Sequence, residues 1–183
     1  KFSEEQKGIV TRISREQQNL FVEGPPGSGK TLISLYTLRD MVEAGTIRPL
    51  LLMYNHSLYG YLRTAMQELE ISDNITIATK DKFFWDLAYS NGIDKKHEGS
   101  YDEKYDYLLT KLLQCSLSKI YDVTVVDEVQ DLNPKEWLLV KRLSKRITSL
   151  GDFNQGIYET ELTKSEIVGQ GIMERLTKIF RSH

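Results

Sequence analysis

Eight residues from Gly24 to Thr31, GPPGSGKT, combine three glycines with a lysine and a hydroxyl side chain. They match the pattern GxxxxGK[ST], in which glycines let backbone N–H groups approach a polyphosphate. The pattern assigns Lys30 to the β- and γ-phosphates and Thr31 to Mg2+. A glycine loop that only turns the chain into a helix is the alternative. The predicted nucleotide-binding residues of this loop are Gly24, Pro25, Pro26, Gly27, Ser28, Gly29, Lys30 and Thr31.

Two acids follow an apolar run in VTVVDEVQD, residues Val123 to Asp131. A carboxylate at the end of a buried strand can coordinate a metal beside the phosphates, and a second carboxylate can activate water. We therefore expect Asp127 to hold Mg2+ and Glu128 to act as the general base. The alternative is a plain helix N-terminus, where the helix dipole favours acidic residues.

Short apolar runs alternate with longer helical patterns, which predicts an α/β fold with a mostly parallel sheet. The runs are nearly continuous in apolar residues, as expected for strands that helices bury on both faces. The sequence therefore predicts three layers, α/β/α. The predicted strands are Asn19 to Glu23, Arg48 to Tyr54, Asn74 to Ala78, Tyr121 to Asp127 and Arg146 to Gly151.

Helical patterns fill the intervals between these runs, and Asn133 followed by Pro134 predicts a capped helix start. The polar stretch Asn91 to Asp106 predicts an exposed insertion, which extends with the next helix over about residues 91–118. The predicted helices are Lys30 to Ala44, Leu58 to Leu69, Lys82 to Ser90, Lys104 to Leu117, Pro134 to Leu143 and Gly171 to Phe180.

Composition narrows the class of protein. The 183 residues suit one domain, and 24 basic against 26 acidic residues exclude a nucleic-acid binder with a broad basic face. One cysteine excludes an intramolecular disulfide, and three scattered histidines form no zinc-ligand pattern.

No apolar run approaches the ~20 residues of a membrane span, so we expect no membrane partner and a cytoplasmic location. The first residue is not Met, which indicates a trimmed piece.

Three strings in order resemble motifs I, II and III of superfamily 1 DNA helicases of the UvrD/Rep type: GPPGSGKT, DEVQDLNP and SLGDFNQGIYE. The resemblance implies that residues 1–183 form the first RecA-like domain of an ATP- and Mg2+-dependent motor. It implies that Gln155 senses the γ-phosphate and couples it to the DNA path, although GDFNQG is also a typical turn after a strand. A second RecA-like domain, absent from these residues, is expected in the full-length protein.

Weaker matches extend the resemblance. FSEEQKGIV resembles the N-terminal glutamine motif, which implies that Gln6 reads the adenine, although alone it is an amphipathic helix start capped by Ser3. MYNHSLYGYL and ATKDKFF lie where motifs Ia and Ib are expected, which implies nucleic-acid contacts by Tyr54, Asn55 and Thr79, and the alternative for Tyr54 is a place in the core. KIFRSH resembles motif IV and implies that Arg181 stabilises the transition state as an arginine finger does.

Departures from the family pattern leave the function open between classes. Asp81 stands where motif Ib has a histidine, and an acid there would repel phosphate. The segment ETELTKSE after QGIY is polar and acidic, and the interval from Phe84 to Tyr121 is too short for the accessory domain of UvrD relatives. We expect a motor that steps along single-stranded DNA or acts at DNA junctions. The alternatives are a nucleotide-gated regulatory or assembly module and an RNA helicase.

Overall fold

The computed structural model describes most of the chain. The described residues are 3–15, 18–25, 29–46, 48–54, 56–68, 75–95, 98–153, 163–169 and 172–175.

A sheet of six parallel strands forms the middle layer, in the order β3-β2-β4-β5-β1-β6. Four of the strands, β1, β2, β4 and β5, are buried along their whole length, which confirms the interpretation of their continuous apolar runs. In the edge strand β3, two buried residues alternate with one exposed and one half-buried residue. The strands are β1 Leu20–Glu23, β2 Pro49–Met53, β3 Thr76–Thr79, β4 Val123–Val126, β5 Ile147–Gly151 and β6 Ile172–Arg175.

Two separate apolar clusters cover the sheet, so the predicted three-layer α/β/α architecture is confirmed. The first cluster takes its helical members from α1, α2 and α3, and the second takes them from α4, α5, α6 and α7. The helices are α1 Glu4–Arg15, α2 Lys30–Glu43, α3 His56–Glu68, α4 Lys80–Ser90, α5 Tyr101–Gln114, α6 Pro134–Leu143 and α7 Lys164–Val168. A short 3-10 helix, Val129–Asp131, separates β4 from α6.

Helix starts follow local chemistry. Asn133 and Glu136 form a capping box around Pro134 at the start of α6, as the Asn-Pro pair predicts. At α5, Ser100 accepts a hydrogen bond from the N–H of Glu103, so this helix begins three residues before the predicted Lys104. The exposed segment after α4 is correspondingly shorter than the predicted insertion.

The predicted helix from Gly171 to Phe180 is wrong at its beginning. Residues Ile172–Arg175 instead form β6, which pairs in parallel with β1 from Leu20↔Ile172 to Glu23↔Arg175. Here tertiary context overrides weak local propensity, because β1 needs a hydrogen-bonding partner on the side away from β5. The rest of that predicted helix lies outside the described residues. Within the described ranges, no helix is long and apolar enough to cross a bilayer.

Candidate functional site

The three strings that bear chemistry follow β1, β4 and β5, which are neighbours in the sheet. Because all strands run in parallel, their carboxyl ends lie along one edge, where α/β folds bind ligands. The N–H of Gly24 donates to the carbonyl of Gly151 at 3.1 Å, so the phosphate loop and the segment after β5 are in direct contact. The fold thus brings together segments that are more than 100 residues apart in the sequence.

The phosphate loop leads from β1 into α2, with its N-terminus at the same sheet edge. Gly29 precedes α2 with φ of +84°, a left-handed conformation that favours glycine. A Cβ added at Gly29 would also overlap Nε2 of Gln6. Both findings explain why glycine occupies this position. Gly24 and Pro25 are described, whereas Pro26, Gly27 and Ser28 lie outside the described residues.

Lys30 is buried at the start of α2, and its ammonium group reaches back across the loop. Its Nζ donates to the carbonyls of Gly24 at 2.6 Å and Pro25 at 2.9 Å. Burial lowers the pKa of Lys30, and the nearby carboxylates of Glu128, Asp152 and Asp127 oppose that shift. The lysine therefore places a cation between the phosphate loop and a group of acids.

Thr31 and Asp127 join the two predicted metal-binding segments. The Thr31 hydroxyl donates to Oδ2 of Asp127 at 2.9 Å. Burial and then the neighbouring Glu128 raise the pKa of Asp127 to about 6, while hydrogen bonds from Thr31 and the Glu128 N–H oppose the shift. A divalent cation would relieve the cost of this buried acid, and hydroxyl and carboxylate oxygens are ligands that Mg2+ prefers.

Among the described residues, no group of three His, Cys, Asp or Glu side chains could hold a metal. The chemistry of the pair fits Mg2+ nevertheless, because this ion is commonly bound by one or two protein oxygens together with substrate phosphates and water. Thr31 and Asp127 would supply those protein oxygens. The ion would neutralise charge on the phosphates when bound.

Glu128 has an unusual backbone. Its φ of 55° and ψ of 50° are left-handed, and among the described residues no other non-glycine residue has a positive φ. The Glu128 N–H donates to Oδ1 of Asp127 at 3.1 Å, and its carboxylate accepts a hydrogen bond from Nε2 of Gln130. Gln130 lies in the motif DEVQD, and its position in the sequence alone indicates no role for it.

Gln6, expected to read the adenine, lies against the phosphate loop. Its N–H donates to the Ser3 hydroxyl and its Oε1 accepts from the Ser3 N–H, both at 3.1 Å, so Ser3 and Gln6 form a capping box for α1. The predicted cap is therefore present. Gln6 is also buried beside Gly29, so the same side chain connects the start of α1 with the start of α2.

The residues expected to contact nucleic acid differ in exposure. Tyr54, at the carboxyl end of β2, is 55% exposed, and the Lys80 ammonium lies 5.2 Å from its ring centroid. Thr79 is only 2% exposed and its hydroxyl has no hydrogen-bond partner among the described residues, so it is not offered at the surface. Asn55 lies outside the described residues, as do Gln155 and Arg181. The roles of these three residues stay predictions.

Lys80 belongs to a buried polar network that sequence reasoning missed. Its Nζ donates to Oε1 of Glu136 at 2.9 Å and to the carbonyl of Asp131 at 3.0 Å. Glu136 is fully buried and also accepts from the Asn133 N–H at 2.8 Å and the Tyr105 hydroxyl at 2.6 Å. Burial and then Glu136 raise the pKa of Tyr105. The network ties α4, α5 and α6 to the segment that follows Glu128.

Comparisons with known proteins bear on the family and the fold of the chain. A family model described as AAA domain matches residues 6–161. Among solved structures, the Pyrococcus furiosus Hef helicase domain is similar with a TM-score of 0.60 at 15% identity, covering 95% of this chain and 38% of that chain. A structure of two coordinating Pif1 helicases, which concerns DNA unwinding at forked double-stranded DNA, is similar with a TM-score of 0.53 at 18% identity. The match covers 100% of this chain and 45% of that chain.

The fold also occurs outside helicases. The flagellar accessory protein FlaH from Methanocaldococcus jannaschii is similar with a TM-score of 0.51 at 14% identity, covering 94% of this chain and 78% of that one. At such identities the likeness shows the fold alone. The chain spans less than half of the length of the two helicase chains. No curated protein matches it in sequence.

Proposed function

Because the chain belongs to the AAA domain family and forms a P-loop ATPase domain of the helicase type, we propose that it is the ATP-binding half of a single-stranded-DNA-translocating helicase of the UvrD/Rep type. The observation that carries the proposal is the 2.9 Å hydrogen bond between Thr31 and Asp127, beside buried Lys30. This bond unites the phosphate loop with the acidic motif. The P-loop ATPase fold implies nucleotide binding. That the nucleotide binds together with Mg2+ is part of our proposal.

In the proposed reaction, the side chains divide the chemistry of phosphoryl transfer. Lys30 offsets negative charge on the β- and γ-phosphates, and the N-terminus of α2 adds its positive dipole end. Glu128 orients the attacking water and accepts its proton. Gln155 and Arg181 would respond to the γ-phosphate, and Gln6 would contact the adenine.

The motor requires parts beyond the P-loop site. We propose that a second RecA-like domain of the full-length protein closes over the nucleotide, and that hydrolysis reopens the cleft. Single-stranded DNA or a DNA junction would then run past Tyr54 at the end of β2. A stacked base on that exposed ring requires no broad basic surface, which suits the near-neutral charge of the chain.

The test is ATP hydrolysis by the full-length protein, with and without single-stranded DNA, after its mass has been measured. Lys30→Ala and Glu128→Gln are expected to lower kcat at least about 100-fold. Lys145→Ala is the matched control, because Lys145 pairs with Asp122 at the opposite end of the sheet. Hydrolysis that survives both site variants would contradict the proposal for the ATPase.

A nucleotide-gated regulatory or assembly module is the second candidate. Two observations favour it: Thr79 is buried rather than presented to nucleic acid, and Asp81 replaces the expected histidine. DNA distinguishes the candidates, since a motor couples hydrolysis to its track. Strong stimulation by single-stranded DNA would support the motor, stimulation by RNA instead would indicate an RNA helicase, and indifference to both would support the module.

A further inference from the structure

The Gln130 side chain joins the candidate general base to the segment that follows β5. Its Nε2 donates to Oε2 of Glu128, and its Oε1 accepts from the N–H of Asp152 at 3.2 Å. Gln130 is only 7% exposed, so water cannot easily replace either bond. Both ends of one amide are thus used between two chemistry-bearing segments.

Glu128 needs such support because its left-handed backbone is unfavourable for a residue with a Cβ. A free glutamate side chain would also sample several rotamers. The Gln130 amide restricts the carboxylate from the side of the 3-10 helix, while the Glu128 N–H is fixed by Asp127. The base is therefore held from two directions.

The Gln130 amide also occupies the space that a side chain at position 151 would need. A Cβ added there would overlap Oε1 of Gln130 and come within 2.9 Å of Val129 Cγ1. Gly151 is not among the glycines with positive φ, so its backbone does not require glycine. The close approach of Gln130 and Val129 accounts for glycine at the end of β5.

We propose that Gln130 is a positioning residue that sets the Glu128 carboxylate for hydrolysis and registers it against the backbone at Gly151 and Asp152. A shift of the segment after β5, which continues toward Gln155, would move the amide and with it the base. This inference rests on the proposed hydrolysis by Glu128. It concerns the rate of the chemical step and not the affinity for nucleotide, because the Gln130 amide bonds to Glu128 and to the Asp152 N–H, on the side of the candidate base.

The first test compares kcat with nucleotide affinity. Gln130→Leu removes both hydrogen bonds, and Gln130→Glu keeps an acceptor for Asp152 while placing a carboxylate against Glu128. Both variants are expected to lower kcat about 10- to 100-fold, since misplacing a catalytic group by about 1 Å has that effect. The Kd of a fluorescent ADP analogue should change less than about threefold. The full-length protein is used, and thermal unfolding confirms that each variant folds.

Ser144→Ala is the matched control for loss of a buried hydrogen bond. The Ser144 hydroxyl bonds to Thr124 at 2.6 Å, outside the phosphate-binding edge. This variant should melt at a lower temperature with kcat within about twofold of the unsubstituted protein. If Gln130→Leu lowers stability in the same way and leaves kcat within twofold, Gln130 is a structural residue and the inference fails.

The second test uses Gly151→Ala, whose methyl group should displace the Gln130 amide. Alone, it is expected to lower kcat about as much as Gln130→Leu. Combined with Gln130→Ala, it should lower kcat by a smaller factor than it does alone, because the overlap with the amide is gone and only the close contact with Val129 remains. Effects that multiply would overturn the inference.

The outcomes separate this inference from the proposed function. If Glu128→Gln abolishes hydrolysis while the Gln130 variants retain it, only the positioning role fails. If Glu128→Gln itself retains hydrolysis, the proposed function fails and the inference fails with it. If Glu128→Gln and the Gln130 variants lose kcat together while nucleotide still binds, both stand.

Discussion

At the residue scale, the buried carboxyl of Asp127 should make the free energy of unfolding depend on pH. Because burial raises the pKa of Asp127 to about 6, the folded chain holds this proton more tightly than the unfolded chain does. The resulting stabilisation is fully present below pH ~4 and is lost as the pH rises through about 6. In metal-free buffer, the free energy of unfolding should fall by up to about 3 kcal/mol over that range.

Urea denaturation across the pH range measures this effect. Asp127→Asn cannot titrate and should remove that part of the pH dependence, while Asp86→Asn, an exposed partner of Lys82, should leave it intact. An unchanged profile in Asp127→Asn would contradict the raised pKa.

Gly29 makes a second prediction at this scale. Gly29→Ala places a methyl group against Gln6 in a left-handed backbone, so we expect destabilisation of about 1–2 kcal/mol and weaker nucleotide binding. Gly8→Ala is the control, because Gly8 lies in α1 with nothing within 4 Å of an added Cβ. That variant should be stabilised by about 0.5–1 kcal/mol. Equal melting temperatures for the two variants would refute the prediction.

At the element scale, the ion pair between Lys80 and Glu136 connects α4 with α6. Lys80→Met leaves the fully buried carboxylate without its cation, so we expect a loss of about 3 kcal/mol in the free energy of unfolding. Lys82→Met, which breaks the exposed pair with Asp86, should cost less than about 0.5 kcal/mol.

Adding Glu136→Gln to Lys80→Met should recover part of the loss, because the unpaired charge is then removed. Chemical denaturation of Lys80→Met, Glu136→Gln, the double variant and the unsubstituted protein measures the coupling. If the double variant loses as much free energy of unfolding as the two single variants together, the unpaired charge is not the cause of the loss in Lys80→Met.

Much of the fold could be predicted because its signals are local. The apolar runs of β1, β2, β4 and β5 and the Asn133 cap are readable within a few neighbouring residues. Strand β6 could not be predicted, since its four residues are held by pairing with β1 about 150 residues earlier. Gln130 and Lys80 were missed for the same reason: Gln130 bonds to Asp152, 22 residues away, and the partners of Lys80 lie 51–56 residues away.

At the scale of the whole molecule, Tyr54 is an exposed aromatic side chain directly after β2, at the edge of the sheet where the strands end. If single-stranded DNA passes there, Tyr54→Ala should lower DNA affinity about 5- to 150-fold, the range for loss of one base–aromatic stack. Tyr89→Ala is the control, because Tyr89 is similarly exposed at 48% near the end of α4. Fluorescence anisotropy with a labelled oligonucleotide measures both. Equal effects would argue against a DNA path over β2.

The hydrogen bond between Thr31 and Asp127 also bears on folding kinetics, because it joins residues 96 positions apart. Between them, β2, β3, β4 and three whole helices must form, and contacts of such separation close late. The binding site for nucleotide is then incomplete in the folding transition state. Saturating nucleotide should therefore slow unfolding in stopped-flow experiments and leave the refolding rate almost unchanged. Bound nucleotide would thus add kinetic stability to the native state without accelerating its formation.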